Sequence, residues 1–391
     1  MKNLVNLALL GSLIIFISCA SIPGNEPVPG AWRMDKYLSI LEDMSVGIVA
    51  NQTSMIGDVH LVDTLSSLGI NINRIFSPEH GFRGTSDAGI LIKDGKDQAT
   101  GIDIISLYGS NKRLTKEMLK GLDIVIFDIQ DVGARFYTYI STLEYLMEAC
   151  AENGIEILIL DRPNPNGFYF DGPVLDTNFR SFVGMQAIPV VHGMTVGEYA
   201  GMLFGEKWLD QRFNYSLKVI KCGNYAHKDL YTLPHKPSPN LPDQRSVYLY
   251  PTVCFFEGTV LSCGRGTEFP FQVFGHPDLS GFDFSFTPEP MSGASNPKLN
   301  GQLCFGMDLR NHIYEDGKPR NYIKLEWIIE AYNAFPQKDK FFTSYFDVLA
   351  GGNDLREMIE SGFTAEDIRS SWQDDLDHFS SIRSKYLLYK D

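Results

Sequence analysis

The sequence predicts an α/β protein in which a Rossmann-like parallel sheet precedes a smaller α+β domain. From Val46 to Cys222, short β-branched runs alternate with helical stretches. One of these runs is apolar on both faces, and after position 242 the composition shifts to glycine, proline and aromatic residues. Strands that alternate with helices are joined by right-handed crossovers, so they form a parallel sheet with helices on its faces.

The predicted strands of this sheet are short apolar runs. The strongest is LDIVIFDIQD, which is apolar on both faces as a buried parallel strand is. In chain order the predicted strands are VGIVAN (46–51), INRIFSP (72–78), DIISLYG (103–109), LDIVIFDIQD (122–131), IEILILDRPNP (155–165), IPVVHG (188–193) and YSLKVIKC (215–222).

Two of the predicted helices between these strands have recognisable ends. One stops at Gly154, because glycine favours the left-handed conformation at a helix C-terminus. Another begins at Thr195, with Glu198 three residues later, which is the pattern of a capping box. In chain order the predicted helices cover residues 59–68, 115–122, 142–154 and 195–208.

The chain after position 240 is predicted to form the smaller domain. No helical period is visible from Pro242 to Pro297, whereas GQLCFGMDLR (301–310) has the pattern of a strand. Three helices are predicted after it, at 323–335, 354–361 and 374–389. The predicted organisation is a leader and tether at 1–30, a sheet domain at 31–240 and an α+β domain at 241–391.

The N-terminus has the pattern of an export signal. Lys2 precedes an apolar run from Leu4 to Ile17, which is too short for a comfortable membrane span. The following FISC sequence resembles a bacterial lipobox, in which Cys19 becomes the lipidated first residue of the mature protein. We therefore expect an exported, periplasmic lipoprotein that meets the membrane only through its lipid; a plain cleaved signal is the alternative.

Charge and cysteine spacing exclude two kinds of function. A formal net charge of -14 argues against nucleic acid as a partner, because phosphate binding needs a basic surface. No C-x-x-C spacing occurs, which argues against a zinc or redox motif. The five cysteines beyond Cys19 are predicted to be buried free thiols: Cys150, Cys222, Cys254, Cys263 and Cys304. A disulfide bridge between Cys254 and Cys263 remains the alternative.

Polar residues follow five of the predicted strands. In an open parallel sheet, ligands bind outside the carboxyl ends of the strands, so these residues are predicted to line one rim. Each of them alone would more often be a cap or loop residue, but together they predict a site. They are Asn51 after the first strand, Glu79 and His80 after the second, Asp128, Gln130, Asp131 and Arg135 after the fourth, Asp161, Arg162 and Asn164 after the fifth, and His192 after the sixth.

The common cofactor motifs are missing from the sequence, so no cofactor is expected. There is no G-x-G-x-x-G after a strand, no P-loop, no G-x-S-x-G elbow and no H-E-x-x-H helix. Two chemistries remain: acid–base catalysis by carboxylates, or a metal held by His80, Asp128 and His192, which lack a recognisable ligand spacing. A carboxylate on a largely apolar rim suits general acid catalysis, which glycoside hydrolysis requires.

Four arginines fall in the same loops, at positions 83, 135, 162 and 265. On an acidic protein, Arg83, Arg135, Arg162 and Arg265 suggest an anionic group on the substrate, because guanidinium pairs bidentately with carboxylate. Each could equally be the partner of a neighbouring aspartate. The loop FFEGTVLSCGRGTEFPF (255–271) places Glu257, Arg265 and Glu268 among small and aromatic residues, and could cover the cleft and stack on a sugar. A packed glycine-rich turn is the alternative.

Several long strings of this sequence resemble the bacterial exo-β-N-acetylmuramidase family. The resemblance covers nearly the whole chain from about Val46 onward, and its strings follow one another in order: NQTS, SPEHGFRG, FDIQDVGARFYTYISTL, DRPNPNG, DGPVL, HGMTVGE, PSPNLP and FEGT…GRGTEFPF. It implies a Rossmann-like domain without a nucleotide, a smaller C-terminal domain, and an active site in the cleft between them.

The resemblance also implies an activity, the removal of non-reducing-end N-acetylmuramic acid (MurNAc) from peptidoglycan fragments such as MurNAc–GlcNAc. The proposed catalytic glutamate of the family lies in the S-P-E-H-G string, which here is Glu79. The lactyl carboxylate of MurNAc is an anion that the arginines could hold.

The second catalytic group stays open at this point. His80, Asp128, Asp131 and Glu257 are candidates, and the acetamido group of the substrate could itself act as nucleophile. Two competing functions remain as well: a lipoprotein that binds wall fragments without cleaving them, and a metal-dependent hydrolase on the same rim.

Overall fold

The structure is a computed structural model that describes residues 24–79, 81–83, 94–109 and 112–391. The predicted signal with Cys19, and the predicted catalytic neighbour His80, lie outside the described residues.

The strands are short and follow the apolar runs of the sequence. In chain order they are β1 (Val46–Ala50), β2 (Met55–Ile56), β3 (Val59–His60), β4 (Ile72–Ser77), β5 (Gly95–Lys96), β6 (Asp103–Ser106), β7 (Ile124–Asp128), β8 (Glu156–Leu160), β9 (Leu217–Ile220), β10 (Val273–His276), β11 (Phe284–Phe286), β12 (Cys304–Asp308), β13 (Tyr314–Glu315) and β14 (Lys318–Pro319).

The helices alternate with the first strands and dominate the end of the chain. Within the described ranges, none of them is both long and apolar enough to cross a membrane. In chain order they are α1 (Leu38–Leu41), α2 (Leu61–Ser67), α3 (Lys116–Leu119), α4 (Tyr139–Asn153), α5 (Val196–Gly205), α6 (Gln244–Val253), α7 (Leu325–Ala334), α8 (Ser344–Ala350), α9 (Asp354–Glu360), α10 (Ala365–Ser371) and α11 (Gln373–Arg383).

The largest sheet has the order β5-β6-β4-β1-β7-β8-β9, and its pairs are parallel except at the edge strand β5. The chain moves outward from β1 to β4 and β6, then returns to β7 on the other side of β1 and continues to β8 and β9. This order is that of a Rossmann fold, and it confirms the predicted parallel sheet. The order reverses between β1 and β7, where the carboxyl ends of the strands leave a crevice.

Both faces of this sheet are covered by helices, as the doubly apolar strands predict. In β7, Val125 and Phe127 pack in the same core as α4 and α5, whereas Ile124 and Ile126 pack in a second core with α2. All five residues of β7 are buried, which accounts for the continuous apolar run in the sequence.

Both predicted helix ends are confirmed. Gly154 ends α4 in the left-handed conformation, with φ of 68°. At the start of α5, the Thr195 hydroxyl accepts from the Glu198 amide, and the Glu198 carboxylate accepts from the Thr195 amide at 2.9 Å.

The second part of the chain forms a smaller domain with antiparallel pairing. Strands β10, β12 and β11 make one sheet with β12 in the centre, and β13 pairs with β14 in a hairpin. Helices α7 to α11 follow. The predicted fold class, a Rossmann-like sheet domain with a smaller α+β domain, is therefore confirmed.

The predicted strand at 188–193 is wrong. The segment is buried, but its backbone makes only isolated bridges, from Val191 to Ala134 and to Asp171. These partners lie in loops, so the segment crosses the core in extended form without joining the sheet. An apolar β-branched run signals burial and extension, and it does not identify what the backbone pairs with.

No helix is predicted between Pro242 and Pro297, and this prediction is also wrong, because α6 lies there. The Asp243 carboxylate caps its first turn by accepting from the Ser246 amide at 2.9 Å. The helix is buried on nearly every side and contains Pro251, so it has no polar face to give its sequence a period.

The five described cysteines are buried free thiols, as predicted. The alternative bridge between Cys254 and Cys263 is not formed.

Candidate active site

A cleft between the two domains holds two adjoining cavities. The first, of about 170 Å³, is enclosed by the turn before α4 and by the smaller domain. The second, of about 520 Å³, is more open to solvent and is bounded by the 293–298 loop. Both are lined by Glu79, Glu257 and Arg265, so these three residues mark the place where the cavities meet.

Glu79 reaches the cleft because β4 ends at Ser77, at the carboxyl edge of the sheet. Its side chain is half-buried, and no described residue forms a hydrogen bond or ion pair with its carboxylate. Tyr137 and Tyr139 line the same cavity. Burial, and then the negative charge of Glu79, raise the pKa of Tyr139, which reflects how near the two side chains lie.

Glu257 is the second carboxylate of the cleft, and it is paired. Its Oε1 accepts from Arg265 Nε at 3.0 Å and from the Cys263 thiol at 2.8 Å. Desolvation by itself would raise the pKa of Glu257, but the charge of Arg265 and these hydrogen bonds outweigh it, and the net shift is downward. Glu257 is therefore held ionised, and its Oε2 has no hydrogen-bond partner among the described residues.

Arg265 is presented to the cleft by the glycines on either side of it. Gly264 and Gly266 have φ of 82° and 81°, a region that favours glycine. A Cβ on Gly264 would meet the Phe269 carbonyl oxygen at 2.6 Å. The guanidinium uses Nε on Glu257 and lies over the Phe271 ring at 5.0 Å, while its two amino groups have no partner among the described residues.

The walls of the enclosed cavity are largely aromatic. Sequence reasoning identified none of these side chains as site residues, although the run ARFYTY (134–139) and the phenylalanines of the 255–271 loop are a visible signal. Aromatic rings contributed by both domains line this cavity: Phe136, Tyr137, Tyr139, Tyr250, Phe271 and Tyr345.

Asn51, predicted to bind substrate, lies one layer behind the cavity. It is fully buried, its amide nitrogen donates to the Tyr139 hydroxyl at 2.9 Å, and its oxygen accepts from the amide and hydroxyl of Thr53. It lines neither cavity, and holds a wall residue in place instead.

Asp128 and Arg162, predicted for catalysis and for substrate binding, pair with each other and line neither cavity. Arg162 donates from Nε and Nη2 to the two Asp128 oxygens at 2.6 and 2.9 Å. Both side chains are buried. The bidentate bond uses both carboxylate oxygens, and the buried pair presents neither of them to the cavities.

Gln130, Asp131 and His192 form a buried group beneath the loop after β7, and they also line neither cavity. The Gln130 amide donates to the carbonyl oxygens of Asp131 and Pro163. His192 Nε2 lies 3.8 Å from Asp131 Oδ2. His192 Nε2 and Asp131 Oδ1 have no hydrogen-bond partner among the described residues.

Two of the predicted arginine clamps are engaged elsewhere. Arg135 is fully buried, and its guanidinium donates to four backbone carbonyls, among them those of Leu349 and Ala350 in the smaller domain. Arg83 forms ion pairs with Asp63 and Asp97 at 2.9 and 2.8 Å. Neither lines the cleft cavities, so Arg265 is the predicted arginine that the structure places beside Glu79.

A metal centre has no ready-made ligand set in the described part of the chain. No group of three or more histidine, cysteine, aspartate or glutamate side chains is positioned there to hold an ion.

Two family models together cover most of the chain. The model described as exo-beta-N-acetylmuramidase NamZ, N-terminal, matches residues 46–245, and the corresponding C-terminal model matches residues 248–389.

Similar proteins include one with a named activity and two with solved structures. The chain is 38% identical over 382 residues to the peptidoglycan beta-N-acetylmuramidase NamZ of Bacillus subtilis (strain 168), which covers 90% of this chain and 89% of that protein. A DUF1343 family protein from Bacteroides fragilis NCTC 9343 superposes with a TM-score of 0.86 and 44% identity, covering 94% of this chain and 99% of the other. A second one superposes with a TM-score of 0.81 and 29% identity, covering 94% and 100%.

Proposed function

We propose that this chain, which belongs to the exo-β-N-acetylmuramidase NamZ family, hydrolyses the bond between a terminal MurNAc and the rest of a peptidoglycan fragment. The observation that carries the proposal is the Glu79 carboxylate, which no described residue pairs with, at the meeting point of two cavities. The peptidoglycan beta-N-acetylmuramidase activity for which the Bacillus relative is named supports the same substrate class.

The enclosed cavity is the proposed site for the terminal sugar. Aromatic rings such as Tyr137, Tyr250 and Phe271 offer flat apolar surface for one face of a pyranose ring, and Asn240 adds a polar group. Because this cavity is smaller and more enclosed than its neighbour, it suits a chain end better than a chain that continues. That geometry supports exo action.

Glu79 is the proposed proton donor to the leaving oxygen. A general acid has to reach the glycosidic oxygen, and Glu79 borders both cavities, so the bond between a sugar in each would lie next to it. No described residue forms an ion pair with its carboxylate, so the carboxyl group remains available to a glycosidic oxygen at this point.

Glu257 is the proposed second group. Glycosidases use two carboxyl groups whose surroundings keep one protonated and the other ionised. Arg265 and Cys263 hold Glu257 ionised across the cleft from Glu79, with one oxygen left over for water or for the developing positive charge on the sugar. The buried pairing of Asp128 and the position of Asp131 make them weaker candidates.

Arg265 is the proposed contact for the lactyl carboxylate of MurNAc. Its Nε edge is committed to Glu257, and its amino groups remain available at the junction of the cavities. A guanidinium that is already fixed on one edge binds a carboxylate with little loss of side-chain freedom.

Glu79→Gln tests the assignment of the acid. We expect hydrolysis of an aryl β-N-acetylmuraminide and of MurNAc–GlcNAc to fall by about 10²- to 10⁴-fold, since general acid catalysis contributes that much. Unchanged far-UV circular dichroism and melting temperature would show that the variant folds.

Glu42→Gln is the matched control, because Glu42 is exposed and lines neither cavity. It should keep full activity. Full activity of the Glu79 variant would remove Glu79 from the mechanism, and tight binding of the disaccharide by wild-type protein without sugar release would refute the hydrolase.

Glu257→Gln tests whether Glu257 takes part in the reaction. Loss of activity in Glu257→Gln on both substrates is the expected result. An unchanged rate in that variant would instead favour attack by the acetamido group of the substrate.

We also propose that the protein is exported and anchored through a lipid on Cys19, where it acts on wall fragments during cell-wall turnover. The support is the sequence of the first thirty residues, in which Lys2 and the apolar run from Leu4 to Ile17 precede the FISC string. Incorporation of labelled palmitate in the native host should occur in the wild type and be lost in Cys19→Ser; equal labelling would refute the anchor.

A further inference from the structure

We infer that a cavity outside the cleft binds the carboxylate of a short peptide, with the Arg320 guanidinium as the group that recognises it. The inference goes beyond the proposed hydrolysis, because this cavity shares no lining residue with the two cavities that meet at Glu79.

The cavity lies between the hairpin of β13 and β14 and two loops of the sheet domain. Its volume of about 650 Å³ is within the range of about 300 to 1,000 Å³ that is common for ligand pockets. Phe168, Lys228 and Leu230 line it from the loops after β8 and β9, and the hairpin lines it from the other side. The hairpin has a tight two-residue turn, in which Asp316 and Gly317 have φ of 51° and 76°.

The Arg320 guanidinium is largely buried and donates no hydrogen bond to any described residue. Its side chain is 13% exposed, and its Nε is enclosed without a partner. Glu315 Oε2 lies 3.8 Å from that Nε, which is beyond hydrogen-bond distance, and this oxygen already accepts from the Tyr322 hydroxyl at 2.8 Å. Buried polar groups are as a rule hydrogen-bonded, so a guanidinium with every donor unused points to a ligand.

Arg320 is held in place by contacts that use none of these donors in hydrogen bonds. The guanidinium lies over the rings of Tyr322 and Trp327, at 5.6 and 4.9 Å from their centroids. The backbone amide of Arg320 donates to the Ile313 carbonyl oxygen at 3.1 Å. A side chain that is already fixed binds a carboxylate with little loss of freedom.

The charges around the cavity favour a single carboxylate over a polyanion. Lys228 and Lys318 are exposed lining residues, and neither forms an ion pair with a described residue. With Arg320 they make three cations, against the two carboxylates of Glu315 and Asp316 that line the same cavity. The excess of one positive charge suits a monoanion, and the planar guanidinium matches a carboxylate in a bidentate bond.

Apolar surface beside these charges indicates that the carboxylate belongs to a peptide. The Leu230 side chain is 54% exposed and lines the cavity together with Phe168 and Pro319. Asn321 also lines it, is exposed, and makes no hydrogen bond with a described residue, so its carboxamide is available to a peptide group. A small anion would use none of this surface, whereas a peptide C-terminus combines a carboxylate, an amide and an apolar side chain.

Isothermal titration calorimetry of the full chain with acetyl-alanyl-alanyl-leucine tests the site, because this peptide has one carboxylate beside an apolar side chain. We expect it to bind, and we expect its C-terminal amide and sodium acetate to bind at least about tenfold more weakly, since each lacks one half of the ligand. Arg320→Met should weaken binding of the peptide about tenfold or more. Lys318→Met, an exposed change in the hairpin, should weaken it about two- to threefold.

Lys120→Met is the matched control, since Lys120 is exposed and lines neither this cavity nor those of the cleft, and it should bind the peptide as the wild type does. Hydrolysis of an aryl β-N-acetylmuraminide by Arg320→Met should stay within about twofold of wild type, which also shows that the variant folds. If it does not fold, Lys318→Met decides.

Three results would overturn the site: no binding of the peptide by the wild type, binding of the amide or of acetate as tight as that of the peptide, or unchanged binding in the folded Arg320 or Lys318 variant. The titration does not depend on turnover, so failure of the proposed hydrolysis would be seen separately.

Discussion

The two halves of the sheet's carboxyl edge use the same kinds of side chain differently. On the β4 half, Glu79 faces a cavity and its carboxylate has no partner among the described residues. On the β7 to β9 half, Asp128 and Asp161 are fully buried and bonded. Asp128 is held by Arg162, and Asp161 accepts from Tyr389 at 2.6 Å and from Thr195 at 2.7 Å.

The difference shows that one half of the edge opens onto the cleft while the other is closed by the protein itself. The C-terminal tail contributes to this closure, since Tyr389 comes from the end of the chain and bonds both Asp161 and the Cys222 amide. Carboxylates at the ends of neighbouring strands are therefore not equivalent, and their partners decide which of them can act.

Removing Asp128 should have the largest effect on stability and would test the closed half directly. Asp128→Ala leaves the buried Arg162 without its counter-charge, and such losses cost about 3 to 5 kcal/mol of the free energy of unfolding. Urea denaturation followed by circular dichroism measures the change.

Two comparisons make that experiment decisive. Glu79→Gln, on the open half, should change the free energy of unfolding by less than about 0.5 kcal/mol. Asp128→Ala combined with Arg162→Met should be more stable than Asp128→Ala alone, because the unpaired charge is gone. Equal stability losses for Asp128→Ala and Glu79→Gln would abolish the distinction between the halves.

The sheet could be predicted from the sequence because its signals are local. Each buried strand carries its own apolar run, and the helix ends at Gly154 and Thr195 depend on residues within one turn. The segment at 188–193 and helix α6 were mispredicted because both are buried on nearly all sides, where periodicity disappears.

The site could be predicted only in part, because its partners are distant in the chain. Glu79 and Arg265 are recognisable in the sequence as polar residues in loops. Asp128 has the same appearance in the sequence, and only the structure shows that Arg162, 34 positions later, pairs with its carboxylate. Tyr389 is 228 positions from Asp161. No local pattern reports such contacts, nor which way the rings of the 134–139 run point.

Glu144 on α4 sharpens the comparison by separating burial from direct pairing, because its buried carboxylate accepts from neutral side chains and forms no ion pair with any described residue. Burial raises its pKa to about 7, against the hydrogen bond from Gln186, the charge of Arg180 and the hydrogen bond from Tyr199, which lower it. Since the folded pKa lies above the unfolded value, the stability this group contributes is complete below about pH 4.5 and is lost as the pH rises through about 7.

Glu144→Gln should therefore remove a pH dependence. Between pH 5 and pH 8 the wild type should lose about 2 to 3 kcal/mol more of its free energy of unfolding than the variant does, at about 1.4 kcal/mol per pKa unit. Glu152→Gln, an exposed position on the same helix, should follow the wild type. Parallel pH curves for wild type and Glu144→Gln would show that burial of this carboxylate has no such cost.

The smallest effect on stability is expected from changes in the C-terminal tail, which closes the β7 to β9 half of the edge. Tyr389→Phe removes a hydroxyl that donates to Asp161 and accepts from the Cys222 amide, and leaves both buried groups short of a partner, at a cost of about 1 to 2 kcal/mol. Tyr386→Phe, in the same tail, removes a bond to Glu206, whose side chain is 21% exposed and can turn to water instead, so it should cost about 0.5 kcal/mol or less. Urea denaturation of both variants at pH 7 would compare them. If Tyr386→Phe cost as much as Tyr389→Phe, the closure of the Asp161 edge would depend on anchoring the tail as a whole and not on the bond that Tyr389 makes.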